Sequence, residues 1–155
     1  MNETQIEIYW QTFLDTLPED SPLRQATYVA EAWGDSPQLA QELAELIAAG
    51  IKTATCSALW QWQAEAATIP EAGIITIVLD GHDQPVAVVE TTEVTVRPYN
   101  EVEAQFAYEE GEGDRSLAYW REAHWQFFSR TLPKIGKEPQ EDMPLVCERF
   151  RLIYP

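Results

Sequence analysis

Basic residues are scarce in this sequence. Ten lysines and arginines stand against 26 aspartates and glutamates, which gives a formal net charge of −16 at pH 7. Tight non-specific binding to duplex nucleic acid or to an anionic membrane surface needs clustered Lys and Arg, so the charge argues against both. A pocket for a nucleoside or a short single-stranded RNA stays possible, because stacking and hydrogen bonding carry that recognition.

Cysteine, histidine and long apolar runs are also scarce. Cys56 and Cys147 are far apart in the sequence and no secretion signal is evident, so we expect free thiols in a reducing cytoplasm. Two cysteines and two histidines scattered along the chain form no zinc motif, and we predict neither a metal nor a cofactor. No apolar run approaches the roughly 20 residues that span a bilayer. The first ten residues, MNETQIEIYW, do not resemble a signal peptide.

The composition that is present is globular. The chain has 155 residues, of which 45% are hydrophobic and six are tryptophan. That length suits one domain with a real core and is short for two. We therefore predict a single domain over residues 1–155, and the sequence leaves its oligomeric state open.

Helical patterns fill the first part of the chain. Apolar residues at helical spacing predict a first helix over about residues 3–16. Ser21, as an N-cap followed by Pro22, predicts a second helix that ends at Gly34. We interpret residues 1–35 as an N-terminal helical extension.

The segment from Ser36 to Gly50 carries the strongest helix signal. Ser36 is an N-cap, Pro37 follows it at the first helical position, and leucines and an isoleucine form one apolar stripe up to Gly50. The N-cap, the apolar stripe and the terminating glycine agree, so we predict a helix that ends immediately before the segment IKTATCSALW.

Strand patterns replace helical ones after Gly50. KTATCSALW (52–60) and GIITIVLD (73–80) predict strands, and GHDQ predicts a turn into a long strand over PVAVVETTEVTVRPY (85–99). MPLVCERFRLIYP (143–155) alternates and predicts a closing strand. The fold class is therefore α+β, with a small curved sheet or barrel closed by the last strand.

Two further helices are predicted between the long strand and the closing strand. Asn100 with Glu103 three residues later is a capping-box pattern for a short helix. This helix gives way to an acidic, glycine-rich loop, YEEGEGDRS. Asp114 then caps a longer helix over residues 115–131.

The segment AAGIKTATCSALW resembles the G-x-K-x-x-T signature of the ASCH domain, the activating-signal-cointegrator homology domain. The segments VVETTEVTVRPYNEVEAQFAYEEGEGDRSLAYWREAHWQFFSR and MPLVCERFRLIYP resemble the larger bacterial stand-alone ASCH proteins. The resemblance covers the chain from about residue 39 to the C-terminus. It implies a PUA-like β-barrel with helices packed around it and a cleft for RNA or a nucleoside.

The resemblance also implies functional residues. Lys52 and Thr55 match the lysine and threonine of the family's proposed site, and a glutamate near Glu110 and Glu112 works with the lysine in relatives that hydrolyse N4-acetylcytidine. Lys52 would activate water or stabilise an oxyanion, Thr55 would position it, and one of the two glutamates would shuttle a proton. The register leaves open which glutamate takes that role.

The residues themselves permit plainer explanations. Lys52 at the end of a helix also suits the helix dipole as an ordinary surface lysine. The YEEGEGDRS segment is either a flexible acidic loop or a set of carboxylates that raise one another's pKa values. Arg115 is either a substrate-positioning donor or the counter-charge of this loop.

Other candidates for substrate binding rank lower. Trp60 or Trp62 could stack a base, although packing is the commoner role of such a tryptophan. Glu90 faces either the cleft or solvent, and Ser129 is placed where it could reach the cleft. His124 lies on a helix face that resembles core, so we interpret it as a structural histidine.

The sequence therefore favours an ASCH-like protein that binds a nucleoside or short RNA around Lys52 and possesses amidohydrolase activity on an acylated cytidine, if it is an enzyme. The alternatives are a non-catalytic RNA-binding module and a metal-assisted ribonuclease with clustered carboxylates around a divalent ion. We expect the hollow around Lys52 and Arg115 to be neutral or positive, in contrast to the whole chain.

Overall fold

A computed structural model describes residues 2–155, in which five α-helices surround one five-stranded sheet. The helices are α1 (Asn2–Asp15), α2 (Pro37–Ala48), α3 (Leu59–Ala64), α4 (Ala104–Glu110) and α5 (Leu117–Thr131). The strands are β1 (Val29–Ala32), β2 (Ala54–Ala58), β3 (Ile75–Leu79), β4 (Pro85–Pro98) and β5 (Pro144–Tyr154). The predicted α+β class is confirmed.

The sheet has the strand order β1-β3-β4-β5-β2 and forms a half-barrel. β1 runs parallel to β3, and the other neighbours are antiparallel. Two register shifts in β4, at Val88/Val89 and Thr91/Glu93, bend this long strand against β5. The last strand lies between β4 and β2, so it joins β2 to the hairpin, and the two sheet edges are β1 and β2.

The core consists of three clusters of buried side chains. One lies between α4, α5 and the β2–β5 end of the sheet, a second packs α1 onto β3, and a third packs α2 onto the middle strands. In α1, Trp10, Phe13 and Leu14 supply the buried face. Helices therefore cover the sheet on several sides, and the space between its two edges is left for a cleft.

Several predicted elements are confirmed. α2 begins after Ser36, whose Oγ accepts a hydrogen bond from the Leu39 amide, and Pro37 is its first residue. The strands β2, β3, β4 and β5 all fall within their predicted segments. Cys56 and Cys147 are free thiols that lie directly opposite each other on β2 and β5.

The predicted helix from Ser21 to Gly34 is wrong. Ser21 caps a four-residue 3-10 helix, Pro22–Gln25, and the chain then forms β1, which pairs with β3. The hydrogen bonds to β3 satisfy the backbone N–H and C=O groups of residues 29–32 more fully than an isolated helical turn would. Pairing with β3 therefore overrides the local helical pattern. The proposed extension over residues 1–35 thus includes a strand of the sheet, while the single-domain interpretation stays a prediction.

The predicted caps of α4 and α5 are also wrong by a few residues. A 3-10 turn precedes α4, which begins after Glu103 rather than at Asn100. α5 is capped by Ser116, whose Oγ accepts from the Tyr119 amide, while Asp114 accepts from the Ser116 amide. Asp114 therefore stabilises the turn that positions the cap. The short helix α3 was not predicted.

Candidate functional site

A cleft of about 680 Å³ lies between the two edges of the sheet. Residues of β1 and of the turn after it form one wall, and residues of β2 form another. Side chains of α2 and α5 complete it. Because the edge strands β1 and β2 are not paired with each other in residues 2–155, the open side of the half-barrel is this cleft.

Lys52 is held at the floor of the cleft by the end of α2. Gly50 takes a left-handed conformation with φ 75°, and the amides of Ile51 and Lys52 both donate to the Leu46 carbonyl. This termination turns the Lys52 side chain inward, where it is 1% exposed. The lysine is thus a buried residue, and the interpretation as an ordinary surface lysine is wrong.

Two glutamates meet the Lys52 ammonium. Lys52 Nζ lies 2.8 Å from Glu110 Oε1 and 2.9 Å from Glu112 Oε2. Its third contact, with the Glu110 carbonyl, is long at 3.4 Å. The site thus brings the Lys52 ammonium into contact with two carboxylates that are far from it in the sequence.

Gly111 allows these segments to approach each other. It has φ 76°, and a Cβ at this position would lie 2.8 Å from the Ile51 carbonyl oxygen. The Thr53 amide donates to the Glu109 carbonyl at 2.8 Å and fixes the same approach. The close approach therefore explains why glycine stands at position 111 of the acidic loop, because any side chain there would push the glutamates away from Lys52.

Glu110 is fully enclosed. Its Oε2 accepts from Trp120 Nε1 at 2.6 Å and lies 3.3 Å from His124 Nε2, and the residue is 1% exposed. Its Oε1 is bound by Lys52. Each carboxylate oxygen of Glu110 therefore already has a donor. Glu112, in contrast, has a side chain that is 21% exposed.

His124 belongs to the same network. Its Nδ1 lies 2.9 Å from the Trp120 carbonyl, and its ring stacks on the Trp120 ring with centroids 4.2 Å apart. One nitrogen faces a carbonyl and the other a carboxylate, so both act as donors only in the imidazolium form. Burial opposes this charge, but the Glu110 carboxylate outweighs it and raises the pKa of His124.

The charges at the floor support one another. Burial disfavours the Lys52 ammonium, yet the two carboxylates outweigh that effect and hold the pKa of Lys52 above its ordinary value. Burial likewise disfavours the Glu110 carboxylate, but Lys52 and His124 hold the pKa of Glu110 below its ordinary value. Lys52 is therefore an ammonium at neutral pH and is unsuited to be a base.

Four of the predicted site residues line the cleft: Lys52, Thr55, Glu110 and Glu112. Trp62 lines it as well, with Nε1 donating to Ser57 Oγ at 2.8 Å. His124, interpreted from sequence as a structural histidine, also reaches the cleft.

Arg115 and Trp60 lie outside the cleft. Arg115 has φ 66°, its Nε donates to the Tyr108 carbonyl, and its guanidinium lies 3.6 Å from the Tyr108 ring centroid. Trp60 packs against the core and lines a separate hollow with Lys137. These contacts argue against ligand-binding roles for both residues. Of the two tryptophans that the sequence left open, Trp62 is the one that lines the cleft.

Glu90 and Ser129 lie outside the cleft too. Glu90 forms an ion pair with the Arg151 guanidinium across β4 and β5. Ser129 is exposed on α5, where its Oγ donates to the Trp125 carbonyl at 2.7 Å. Neither side chain lines the cleft, and for Glu90 the structure agrees with the alternative left open from the sequence, a position outside the cleft.

More acidic than basic residues line the cleft. Six carboxylate residues line it, against three lysines or arginines. The acidic residues are Glu31, Asp35, Glu42, Glu110, Glu112 and Glu148, and the basic ones are Lys52, Arg130 and Lys134. Arg130 is further engaged by Asp35. The expected neutral or positive hollow around Lys52 and Arg115 stays a prediction, because Arg115 lies outside the cleft and Lys52 and His124 face two carboxylates at its floor.

Glu148 is a cleft residue that the sequence analysis did not single out. It lies on β5 directly opposite Thr55 of β2, and both line the cleft. Burial and the Glu31 charge raise the pKa of Glu148 to about 7. A signal was present, because Glu148 alternates in the last strand with Val146 and Phe150, which are buried residues.

The best metal-binding arrangement in residues 2–155 combines Cys56, Glu110 and His124, whose ligand atoms lie within 4.8 Å of one another. Cysteine, carboxylate and imidazole suit Zn²⁺ by donor type. The fit is poor, however, since Lys52 and Trp120 already bind the Glu110 oxygens. Burial and Glu110 also hold the pKa of the Cys56 thiol well above its ordinary value, which opposes the thiolate that a metal needs.

None of the helices in the described part of the chain is both long enough and apolar enough to cross a membrane.

The comparison with known protein families gives one positive result. A family model described as the ASCH domain matches residues 30–154, a range that includes most of β1 and the whole cleft. No curated protein matches the chain.

Solved structures from two bacteria are among those similar to this one. The ASCH domain from Lactobacillus crispatus is 32% identical, with a TM-score of 0.91 over 98% of this chain and 96% of that chain. A protein from Enterococcus faecalis is 37% identical, with a TM-score of 0.83 over 97% of this chain and 89% of that chain. With the match over residues 30–154, these likenesses establish that the chain belongs to the ASCH domain family.

Proposed function

We propose that the cleft binds a cytidine-like nucleoside and hydrolyses the amide formed by an acyl group on its exocyclic amine. The observation that carries this proposal is the Lys52 ammonium bound to two glutamates at the floor of a cleft of about 680 Å³. A volume in this range suits a small organic ligand. Amide hydrolysis requires a group that stabilises an oxyanion and a carboxylate that accepts a proton from water, and both are available here.

Lys52 stabilises the oxyanion in this proposal. An ammonium has three N–H donors, and two are occupied by Glu110 and Glu112. The third has a long contact of 3.4 Å to a carbonyl, so it can turn to a substrate oxygen at little cost. Because Lys52 remains charged, its attraction strengthens as negative charge develops on the acyl oxygen in the transition state.

Glu112 is the better of the two candidates for proton transfer. Glu110 is enclosed and bound by Lys52 and Trp120, whereas Glu112 is partly exposed at the cleft. In our proposal Glu112 takes a proton from the attacking water, and Glu110 positions the ammonium. The Thr55 hydroxyl, on the strand that forms the cleft wall, positions the substrate or the water.

Aromatic side chains in the cleft support a planar ligand. Trp33, Trp62, Tyr119 and Phe127 all line it. The Trp62 indole is held by its hydrogen bond to Ser57, so it offers a fixed ring to a base. Six acidic residues against three basic ones favour a ligand with few phosphates over a long RNA.

RNA binding without catalysis is the second candidate, because the ASCH fold is generally linked to RNA binding. The experiment that separates the candidates incubates the protein with N4-acetylcytidine and, separately, with labelled single-stranded RNA, each with and without a chelator. We expect cytidine and acetate in equal amounts, no effect of the chelator and intact RNA. RNA binding without any hydrolysis would favour the binding module, and chelator-sensitive RNA cleavage would favour a metal-assisted ribonuclease.

A further inference from the structure

Arg149 of β5 connects the closing strand to the helix that carries a site glutamate. Its Nε donates to Glu109 Oε1 at 2.6 Å, and its Nη1 forms an ion pair with Glu93 of β4. The guanidinium also lies 5.4 Å from the ring centroid of Phe106. Arg149 therefore contacts α4 at two residues, and one of them directly precedes Glu110.

Glu109 is held from two sides. Its side chain is bound by Arg149, and its carbonyl accepts a hydrogen bond from the Thr53 amide at 2.8 Å. The Thr53 carbonyl in turn accepts from an amide of β5 at 3.0 Å. Thr53 follows Lys52 in the sequence just as Glu110 follows Glu109, so these contacts fix the two residues next to the buried ion pair.

The pair between Arg149 and Glu109 is ionised. Burial disfavours the Glu109 carboxylate, but hydrogen bonds from Arg149 and Gln105 outweigh that effect and hold the pKa of Glu109 below its ordinary value. The side chains of Arg149 and Glu109 are 32% and 22% exposed, so solvent weakens their attraction. The planar guanidinium nevertheless has a fixed direction of donation, and it therefore determines where the end of α4 lies.

The end of α4 depends on such an outside contact. The helix has only seven residues, Ala104–Glu110, whereas isolated helices shorter than about 12 residues are marginal in water. Glu110 and Glu112 also carry like charges that meet at one ammonium. The position of both carboxylates is therefore set by what α4 is attached to.

We infer that Arg149 is a positioning residue for amide hydrolysis, an inference that rests on the proposed function. Arg149 is not among the described residues that line the cleft, so it acts through Glu109. By holding Glu109, it keeps Glu110 and Glu112 against Lys52. Without Arg149 the acidic loop can shift from the ammonium, and a misplacement of about 1 Å in an active site can cost about 100-fold in rate.

The test measures kcat and KM for N4-acetylcytidine, together with urea unfolding, in Arg149→Met and two controls. Arg151→Met is matched, because Arg151 lies on the same strand and pairs with Glu90 instead. Glu93→Gln removes the charge of the other partner of Arg149 and leaves Glu109 in place. We expect Arg149→Met to lose kcat by about 10-fold or more with little change in KM, while both controls keep their kcat.

Two further variants separate positioning from a general loss of structure. Arg149→Lys keeps the positive charge and should recover part of the lost rate. Glu109→Met should also lower kcat, and the double variant with Arg149→Met should be no slower than the slower single variant, because both changes break one contact.

Three results would overturn the inference and leave the proposed function standing. They are an unchanged kcat in Arg149→Met, an equal loss of kcat in Arg151→Met, and a loss in the double variant that equals the product of the two single losses. If Arg149→Met does not fold, the kcat and KM of Glu109→Met decide in the same way. Absence of hydrolysis by the folded wild type would overturn both the inference and the proposed function.

Discussion

Lys52 neutralises two carboxylates, the enclosed Glu110 and the partly exposed Glu112. Glu110 is as enclosed as the lysine itself, at 1% exposure each. Removing one partner of such a pair leaves an uncompensated charge, whereas removing an exposed partner costs little. Stability and the proposed chemistry therefore depend on the same side chain, and the two roles have to be separated by experiment.

Lys52→Met should destabilise the folded protein by about 3 kcal/mol or more, because Glu110 loses its cation. In the wild type the pKa of Glu110 is lowered. The stability that Glu110 contributes is therefore complete above the pKa of this carboxyl in the unfolded chain, and it is lost as the pH falls. In the variant, Lys52 no longer offsets the burial of Glu110, so the charged carboxylate destabilises the folded state most at high pH. The stability gap should thus narrow from about pH 8 to about pH 5 in urea unfolding. Lys134→Met is the control, and an equal gap at both pH values would contradict this account.

Glu112→Gln and Glu110→Gln should have different consequences. Because Glu112 is partly exposed, its glutamine variant should keep its stability and lose kcat by about 100-fold or more. Glu110→Gln should lower stability, since Lys52 and His124 lose a buried counter-charge. Thermal unfolding with steady-state kinetics checks both variants. If Glu110→Gln loses only rate and Glu112→Gln loses only stability, the assignment of the two roles is reversed.

At the scale of the elements, the close approach of the acidic loop to the end of α2 builds the floor of the cleft. Gly111→Ala meets both a left-handed φ of 76° and the Ile51 carbonyl at 2.8 Å. Gly136 has nearly the same φ of 75° and nothing within 4 Å, so Gly136→Ala is a matched control. The strained φ alone costs about 1–2 kcal/mol in each variant.

Gly111→Ala should therefore be less stable than Gly136→Ala, and it alone should lose activity, because the glutamates are displaced from Lys52. Chemical unfolding and turnover of N4-acetylcytidine measure the two effects. Equal losses of stability in both variants, with activity intact, would show that the close approach of the loop does not matter.

The elements also show how far local pattern reaches. The helix after Ser36 carries its own cap and stripe, and the β3–β4 hairpin carries its own turn, so both were predicted from sequence. β1 was mistaken for helix because it forms a strand only by pairing with β3. Val29, for example, pairs with Thr76, which lies more than 40 positions later in the sequence. Long-range pairing of this kind has no local signal.

The candidate site was likewise predicted from the sequence only in part. Lys52, Thr55 and the two glutamates came from the resemblance to a family signature, and all four line one cleft. The choice between Glu110 and Glu112 depended on burial, and burial depends on Trp120 and His124 from another helix. Glu148 was missed for a similar reason, since its neighbour Thr55 lies 93 positions earlier and meets it only through the sheet.

At the scale of the whole molecule, the excess of acidic over basic residues extends to the cleft. The net charge is −16, and the cleft residues include six acidic against three basic ones. A ligand with several phosphates would be repelled, whereas an uncharged nucleoside would not.

Cytidine affinity should consequently change little between about 0.05 and 0.2 M salt, since few counterions are released on binding. Isothermal titration at the two salt concentrations measures this, with a single-stranded oligonucleotide as the comparison. A steep loss of oligonucleotide affinity with added salt would reveal a track of phosphate contacts and would support an RNA-binding module instead.

The most direct test of the central claim compares kcat/KM for N4-acetylcytidine in the wild type and in Lys52→Met, with cytidine affinity measured on the same samples. The account predicts that the wild type releases cytidine and acetate, and that the variant, checked to be folded, loses turnover by about 1,000-fold while cytidine affinity falls far less, because the lost interaction is strongest in the transition state. A folded wild type that releases no cytidine, or a variant that keeps its turnover, would contradict the claim.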